Sequence, residues 1–507
     1  MERSRRFISS LGSGYASVAA SSILSLVSIP VALSQLGREG FGVASTIIQI
    51  GAFSQMLQLG VGPSVARFLV DFKNSGNPSR LEAFMKIALI IGLVQGLILM
   101  VLALAAPTWL ATVFRIPSDY LEPFKFVVFM VLCTSAIGLA LNPFHQLLYA
   151  SQRIDLINYT AIGSQGLATA ALVIGLWNGL SLHSYVLAAW VGSLSAAAMV
   201  VSWSIRHGIC PPFRGLAPDW AILPSLLRFS GNVMFASIGL QLIAIAPAVV
   251  INRLLGAAAM GDWSVGTKLL QLGMQLTNRV SNAAEPTLWE IYSRGQKQWC
   301  CARLKQTTQI SAVVAAMIGA IVLALNGNFV SLWSGEKVSW PWVNDLIGGC
   351  MLLVAAMAST WCMLPGITKQ LGRMTLVYPA EGLLVFALLL VPAYVTSAAT
   401  VLGGMLASMA LVRLSYGAAR CKSDLGESVG RLIICVRRPL LFWLGLLPLA
   451  LAVRYIIADN TRWQVMALGA LVVTMLFGGL AYAFGLSAST KLEAWGFFSR
   501  KSRSPKA

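Results

Sequence analysis

The sequence predicts an all-α integral membrane protein that crosses the bilayer about fourteen times. Three observations carry that expectation. The 507 residues are 57% hydrophobic and only 11% charged, with a mean hydropathy of +0.75, too few charges to cover a soluble protein of this size. The apolar residues come in long runs: Ile87 to Ala111 and Val465 to Leu486 carry no charge, and each exceeds the ~20 residues that cross a hydrocarbon core of roughly 30 Å. Short charged segments separate such runs along the whole chain, and the runs lack the alternation of a barrel strand.

The expected spans are 8–35, 41–69, 83–112, 122–149, 156–178, 182–205, 221–251, 259–286, 307–333, 344–366, 375–396, 398–419, 436–456 and 464–486. The first follows the basic flank Arg3, Arg5 and Arg6. Its run to Ser34 is too long for a signal peptide and ends in no small-residue cleavage site, so it reads as an uncleaved helix. The fifth and sixth spans, and the eleventh and twelfth, are joined by very short uncharged turns. Segment 206–220, with Pro211 and Pro212, is the best boundary between halves. The outer loops are short, the longest lying around Asn326–Asn344, and no soluble domain is inserted.

The distribution of basic residues tests this map independently. With the N-terminus inside, 29 of the 37 Lys and Arg residues fall at cytoplasmic ends. Seven fall at outer ends: Arg38, Arg115, Lys125, Arg253, Lys337, Arg454 and Arg462. Only Lys268 is left well inside a span. A bias that alternates correctly through fourteen crossings places both termini in the cytoplasm.

The formal charge of +19 would suggest nucleic acid in a soluble chain. Here the charges sit between apolar spans rather than in one patch, so no nucleic acid is expected. Eight cysteines are scattered without a C-x-x-C pair, and His145, His183 and His207 lie far apart, so no metal or cofactor is expected. Gly261-x-x-x-x-Gly266-Thr267-Lys268 imitates a phosphate loop. Its order is wrong, no strand precedes it, and it lies in the outer half of a span, so no ATP site is read.

The two halves match at a common offset. Leu36-Gly37-Arg38-Glu39-Gly40-Phe41-Gly42 follows the first span, and Leu255-Gly256-Ala257-Ala258-Ala259-Met260-Gly261 follows the seventh. Arg6-Phe7 answers to Arg228-Phe229, Pro63 to Pro286, Pro143 to Pro365 and Arg153 to Arg373. Each pair lies about 220 positions apart. Six helices per half is even, so both copies start on the same side of the membrane. That predicts two six-helix lobes related by a pseudo-two-fold axis along the membrane normal. The expected organisation is an N-lobe at 1–205, a cytoplasmic linker at 206–220, a C-lobe at 221–420, two extra helices at 421–487 and a basic tail at 488–507.

The strings Leu36-Gly37-x-x-x-Phe41-Gly42, Leu59-Gly60-Val61-Gly62-x-x-x-Ala66-Arg67-Phe68 and Ala150-x-Gln152-Arg153-x-Asp155-x-x-Asn158 resemble those of polysaccharide-unit (O-antigen and exopolysaccharide) flippases. These belong to the multidrug/oligosaccharidyl-lipid/polysaccharide exporter superfamily. The resemblance implies a secondary transporter of the cytoplasmic (inner) membrane. It would carry a polyprenyl-diphosphate-linked oligosaccharide from inner to outer leaflet by alternating access, for lipopolysaccharide or exopolysaccharide assembly. It implies the bilayer and other polysaccharide-assembly membrane proteins as partners, and a central cavity lined by spans one, two, seven and eight.

Candidate site residues gather in the eighth span. Lys268, Gln271, Gln275, Asn278, Arg279, Asn282 and Glu285 fall within an arc of roughly 120° at helical spacing. Such a stripe is costly against lipid, so it faces water or other helices. We read a water-filled cavity, with Lys268 suited to a diphosphate or an anionic sugar. Gln49, its counterpart in the first half, and Gln241 of the seventh span join it as substrate-binding candidates. Glu285, Glu381 and His145 are the candidates for coupling an ion, against a structural role as hydrogen-bonding glue. The serines of the first span (Ser10, Ser13, Ser17, Ser21, Ser25 and Ser28) read as a close-packing face. Two other functions compete. A drug/cation antiporter of the same superfamily would need carboxylates deep in the lobes, where only Glu381 qualifies. A membrane polymerase or glycosyltransferase would need catalytic residues in sizeable outer loops, which are lacking, so no enzyme is expected.

Overall fold

Hydrocarbon offers backbone groups no water, so each apolar run must close its own hydrogen bonds as a helix. The computed structural model describes residues 2–54, 60–74, 78–211, 218, 220–368, 373–391, 395–457 and 462–485, and every regular element among them is helical. Residues 212–217 and 219 of the expected linker and the expected tail at 488–507 lie outside the described residues. In chain order the α-helices are α1 (Glu2–Ser54), α2 (Val61–Asn74), α3 (Pro78–Val113), α4 (Leu121–Ala150), α5 (Ile154–Trp177), α6 (Ser184–Arg206), α7 (Leu223–Leu254), α8 (Ala257–Gly266), α9 (Lys268–Ser293), α10 (Lys297–Ser334), α11 (Trp342–Trp361), α12 (Leu364–Ile367), α13 (Met374–Leu389), α14 (Ala398–Met409), α15 (Ser415–Leu425), α16 (Val429–Ile457) and α17 (Trp463–Leu480).

Eleven helical segments are long and apolar enough to cross a membrane. The other three expected spans have physical reasons for missing that standard. The second is divided: α1 runs past Gly37, whose φ of 70° and ψ of 179° break it into two arms, and α2 supplies the remainder. The eighth is divided between α8 and α9 around Thr267 and carries the polar stripe. The eleventh is α13, apolar but only 16 residues long. Each of the fourteen expected spans is thus mainly helical among the described residues, and one helix covers the first and part of the second.

The chain forms two compact units, Met1–Gly261 and Asp262–Ala507. In the first unit, α2, α3, α4 and the start of α7 enclose a core of Val65, Leu69, Phe84, Met85, Leu147 and Leu226. The rings of Phe68 and Phe72 lie on Phe84, with centroids 5.7 and 5.2 Å away. Near its other end, α7 is tied to α1 by a buried bond of 2.8 Å from Asn252 Nδ2 to Thr46 Oγ1.

The two copies of the repeated string touch each other within this unit. A side chain at Gly42 would meet the carbonyl oxygen of Ala257 at 1.7 Å, and one at Gly261 would meet that of Arg38 at 2.7 Å. Under the offset of 219, Arg38 answers to Ala257 and Gly42 to Gly261. The contact therefore maps onto itself, as contacts across a two-fold axis do. Glycine is needed at both places because backbone meets backbone.

The third string also has a structural use. After α4 the chain turns through Gln152, in left-handed conformation at φ 55°. Arg153 then donates from Nε and Nη2 to the two oxygens of Asp155, both at 3.1 Å, and Asn158 donates to the buried Ser13 Oγ at 3.0 Å. The string sets the α4–α5 turn and seats α5 on the first arm of α1. The serine face of that arm thus packs at Ser13, as its small residues suggest.

The second unit is built round α10 and α11, flanked by α9, α14, α16 and α17. Buried ionic groups tie it together. Asp345 of α11, 3% exposed, accepts from Arg454 of α16 at 2.6 Å. Glu381 of α13, 1% exposed, accepts from Arg413 Nε and Nη2 at 2.5 and 2.6 Å. Arg413 lies in a π-helical turn, Ala410–Leu414, between α14 and α15, and its guanidinium sits 5.7 Å from the centre of the Tyr378 ring. Between α15 and α16, Glu427 accepts from Lys305 at 2.7 Å. That ammonium holds the Glu427 carboxyl below its ordinary pKa.

Candidate functional site

The polar stripe lies on α9, whose opposite face is fixed. Leu270 and Leu288 are buried there. Gly273 lets α9 come so close to α10 that a side chain would meet Ile318 at 2.7 Å. Ser281 Oγ is within hydrogen-bond reach of both Ser311 Oγ (3.2 Å) and Thr360 Oγ1 (3.0 Å), on α10 and α11. Thr277 turns its hydroxyl back to the Gly273 carbonyl at 2.8 Å. These small polar groups satisfy one another inside the unit, as groups between membrane helices must. Residues 270, 273, 277, 281 and 288 thus face the core, and the stripe points away from it.

Among the stripe residues, Gln271, Gln275, Arg279 and Asn282 are exposed, and Lys268, Asn278 and Glu285 are half-buried. Gln271 donates to Thr267 Oγ1 at 3.2 Å, and Asn278 Oδ1 accepts from Ser359 at 3.1 Å. Lys268 begins α9. Two carboxylates could have paired with it, Asp262 on the same span and Glu381 in another. Glu381 has both oxygens on Arg413 instead, and the Lys268 ammonium makes no ion pair or hydrogen bond with any described residue. A cation at membrane depth with neither partner nor full exposure is suited to an anion that arrives and leaves. No group of three His, Cys, Asp or Glu among the described residues could hold a metal ion.

Gln49 of α1, Gln241 of α7 and His145 of α4 are half-buried residues of the first unit. Beside His145, Gln146 donates to Asn142 Oδ1 at 3.1 Å. In the second unit, Glu285 reaches toward α12, its Oε1 lying 3.8 Å from where a side chain on Gly366 would begin. Sequence reasoning missed Arg413. Its position suggests the cytoplasmic end of the twelfth span, yet it is largely buried between α13 and the π-turn. The signal that could have found it was Glu381, a lone carboxylate in an apolar span that needs a cation.

The chain matches, over residues 11–291, the family described as polysaccharide biosynthesis protein. It is 20% identical over 325 residues to the uncharacterized membrane protein EpsK of Bacillus subtilis (strain 168), which covers 62% of this chain and 63% of that one. The match thus spans less than two thirds of that relative's length. The fold is similar to that of lipid II flippase MurJ in an inward closed conformation, with a TM-score of 0.63 at 11% identity over 91% of this chain and 98% of that one. It is also similar to an inward-facing multidrug resistance MATE family transporter of the MOP superfamily, with a TM-score of 0.60 at 11% identity over 79% and 95%. The multidrug transporter DinF-BH in complex with R6G gives 0.60 at 15% identity over 83% and 95%. At these identities the likeness shows the fold.

Proposed function

We propose, on the premise that the chain belongs to the polysaccharide biosynthesis protein family, that it is a secondary transporter. In this reading it flips a lipid-diphosphate-linked oligosaccharide from the inner to the outer leaflet of the cytoplasmic membrane by alternating access. The lobes expected at 1–205 and 221–420, and cytoplasmic termini, belong to the same proposal. The observation that supports it is Lys268, without a partner among the described residues, at the head of a polar stripe on the face of α9 opposite its packed side. An ammonium attracts the diphosphate, and the amides of Gln271, Gln275 and Asn282 offer hydrogen bonds to sugar hydroxyls along one helix face. Gln49 and Gln241 are further proposed sugar contacts. An antiporter would need a deep carboxylate free to exchange a proton or cation, and Glu381 is occupied by Arg413.

The test is deletion of the gene followed by analysis of lipid-linked intermediates in each leaflet. The repeat unit should accumulate on the inner leaflet, and the wild-type gene should clear it. Lys268→Ala should fail to clear it while reaching normal membrane levels, and Lys268→Arg should clear part of it because the charge survives. Normal export by Lys268→Ala would refute the substrate-binding role. A cysteine placed at the exposed Gln296, beyond α9, checks the orientation. It should react with an impermeant maleimide only after cells are opened.

A further inference from the structure

The carbonyl of Gly266 ends α8 where the helix breaks, and only Thr267 separates it from Lys268, the start of α9. Carbonyls at helix ends lack intrahelical donors and need a partner when buried. This one receives the side-chain amide of Asn326 from α10, Nδ2 to O at 2.8 Å. The same Nδ2 reaches Asp345 Oδ1 at 2.6 Å, and Trp340 Nε1 donates to that oxygen at 2.9 Å. The indole of Trp340 lies on Gly266 so closely that a side chain there would fall 2.1 Å from the ring.

The group that holds this assembly comes from a distant part of the chain. Arg454, in the last turn of α16, donates from Nη1 to Asp345 Oδ2 at 2.6 Å and to the Leu323 carbonyl at 3.0 Å. Its Nη2 donates to the Trp340 carbonyl at 3.0 Å. Gly327 leaves it room, for a side chain there would sit 2.1 Å from Nη2. Asn326, Trp340 and Asp345 are all buried. A buried carboxylate without its cation would not keep this arrangement.

We infer that Arg454 is a positioning residue for Lys268. Through Asp345, Trp340 and Asn326 it fixes the Gly266 carbonyl, hence the direction in which α9 starts and the place where the Lys268 ammonium stands. The first of the two C-terminal helices then serves the substrate stripe through those three residues. This inference rests on the proposed role of Lys268, but its test does not need the substrate.

In a cysteine-free version of the full chain, reporter cysteines are placed at position 268 and, separately, at position 279 farther along the same stripe. Their rates of reaction with a maleimide are measured in proteoliposomes. Arg454→Ala should change the rate at position 268 at least about threefold and leave position 279 within about 1.5-fold. Arg454→Lys should restore part of the wild-type rate at 268, since charge survives while the fork of donors is lost. Asn326→Leu leaves Arg454 in place and removes the amide that links Gly266 to Asp345, and it should reproduce the same local change if Arg454→Ala does not fold. Equal changes at 268 and 279 would show general loosening and overturn the inference, as would no change at 268 in either variant. An export defect of Lys268→Ala is scored separately, so failure of the transport reading remains distinguishable.

Discussion

The two units hold equivalent helices together by different means. By the sequence offset, α3 and α4 of the first unit answer to α10 and α11 of the second. Yet 39% and 44% of the most apolar stretches of the first pair are buried, against 72% for each of the second. The difference is the cover that α16 and α17 lay on α10. In the first unit, glycine admits backbone: side chains at Gly92 and Gly96 of α3 would each lie 2.8 Å from a carbonyl oxygen of α4. In the second, glycine admits a ring. Gly319 of α10 and Gly349 of α11 leave space for the indole of Trp443 from α16, 2.9 and 2.3 Å from where a side chain would begin. Charges follow the same rule. Near the start of α4, Glu122 pairs with Lys125 at 2.7 Å with its side chain 80% exposed, whereas Asp345, near the start of α11, is buried with Arg454. Covering a helix pair turns surface into interior, and a charge on that surface then needs a fixed partner.

The largest effect should come from breaking the covered pair. Arg454→Ala leaves Asp345 buried without its cation and should cost about 3–5 kcal/mol of stability, read as a large fall in melting temperature of the detergent-solubilised protein. Lys125→Ala in the exposed pair should cost under about 1 kcal/mol. Comparable losses would erase the distinction between the units. Next, Gly92→Ala or Gly96→Ala should cost about 1–3 kcal/mol because α3 and α4 must part. Gly138→Ala on α4, where a side chain meets nothing within 4 Å, should fall within about 0.5 kcal/mol of wild type. An intolerant Gly138 would contradict the packing described.

Asn158→Ala should cost about 0.5–1.5 kcal/mol by removing the bond to Ser13, and Ser13→Ala should add little to it. If the two losses summed in full, the α5–α1 tie would be wrong. The smallest effect concerns Glu427. Its folded pKa lies below the unfolded value, so its stabilisation is present at neutral pH and is lost as the pH falls through that lowered pKa. The melting temperatures of wild type and Glu427→Gln should differ at pH 7 and converge below about pH 4. A gap independent of pH would discount the Lys305 pairing.

The spans could be read from the sequence because the bilayer demands long uncharged runs, and the polar stripe could be read because helical spacing lines its residues up. Other features depend on partners far away in the chain. Asp345 reads as a residue near the mouth of an outer loop, yet it is buried, because Arg454 stands 109 positions later. Arg413 reads as a cytoplasmic flank, yet it lies within the helical run because Glu381 neutralises it from 32 positions earlier. Thr277 and Ser281 lie on the other side of α9 from the stripe. Only the partners of the Ser281 hydroxyl, Ser311 on α10 and Thr360 on α11, show which way α9 faces. The flippase-like string at Ala150–Asn158 proves legible as chain geometry, since its Arg, Asp and Asn are spent on a turn and a helix seat.

The contact between Gly42 and Gly261 has a consequence for substitutions that act together. The two glycines face one another's strings across a single gap, so both measure the same separation. Once a methyl at either position has forced the strings apart, the backbone opposite the other has already withdrawn. The double variant Gly42→Ala/Gly261→Ala is thus less harmful than its two members added together. At this place the duplicated string behaves thermodynamically as one site with two addresses.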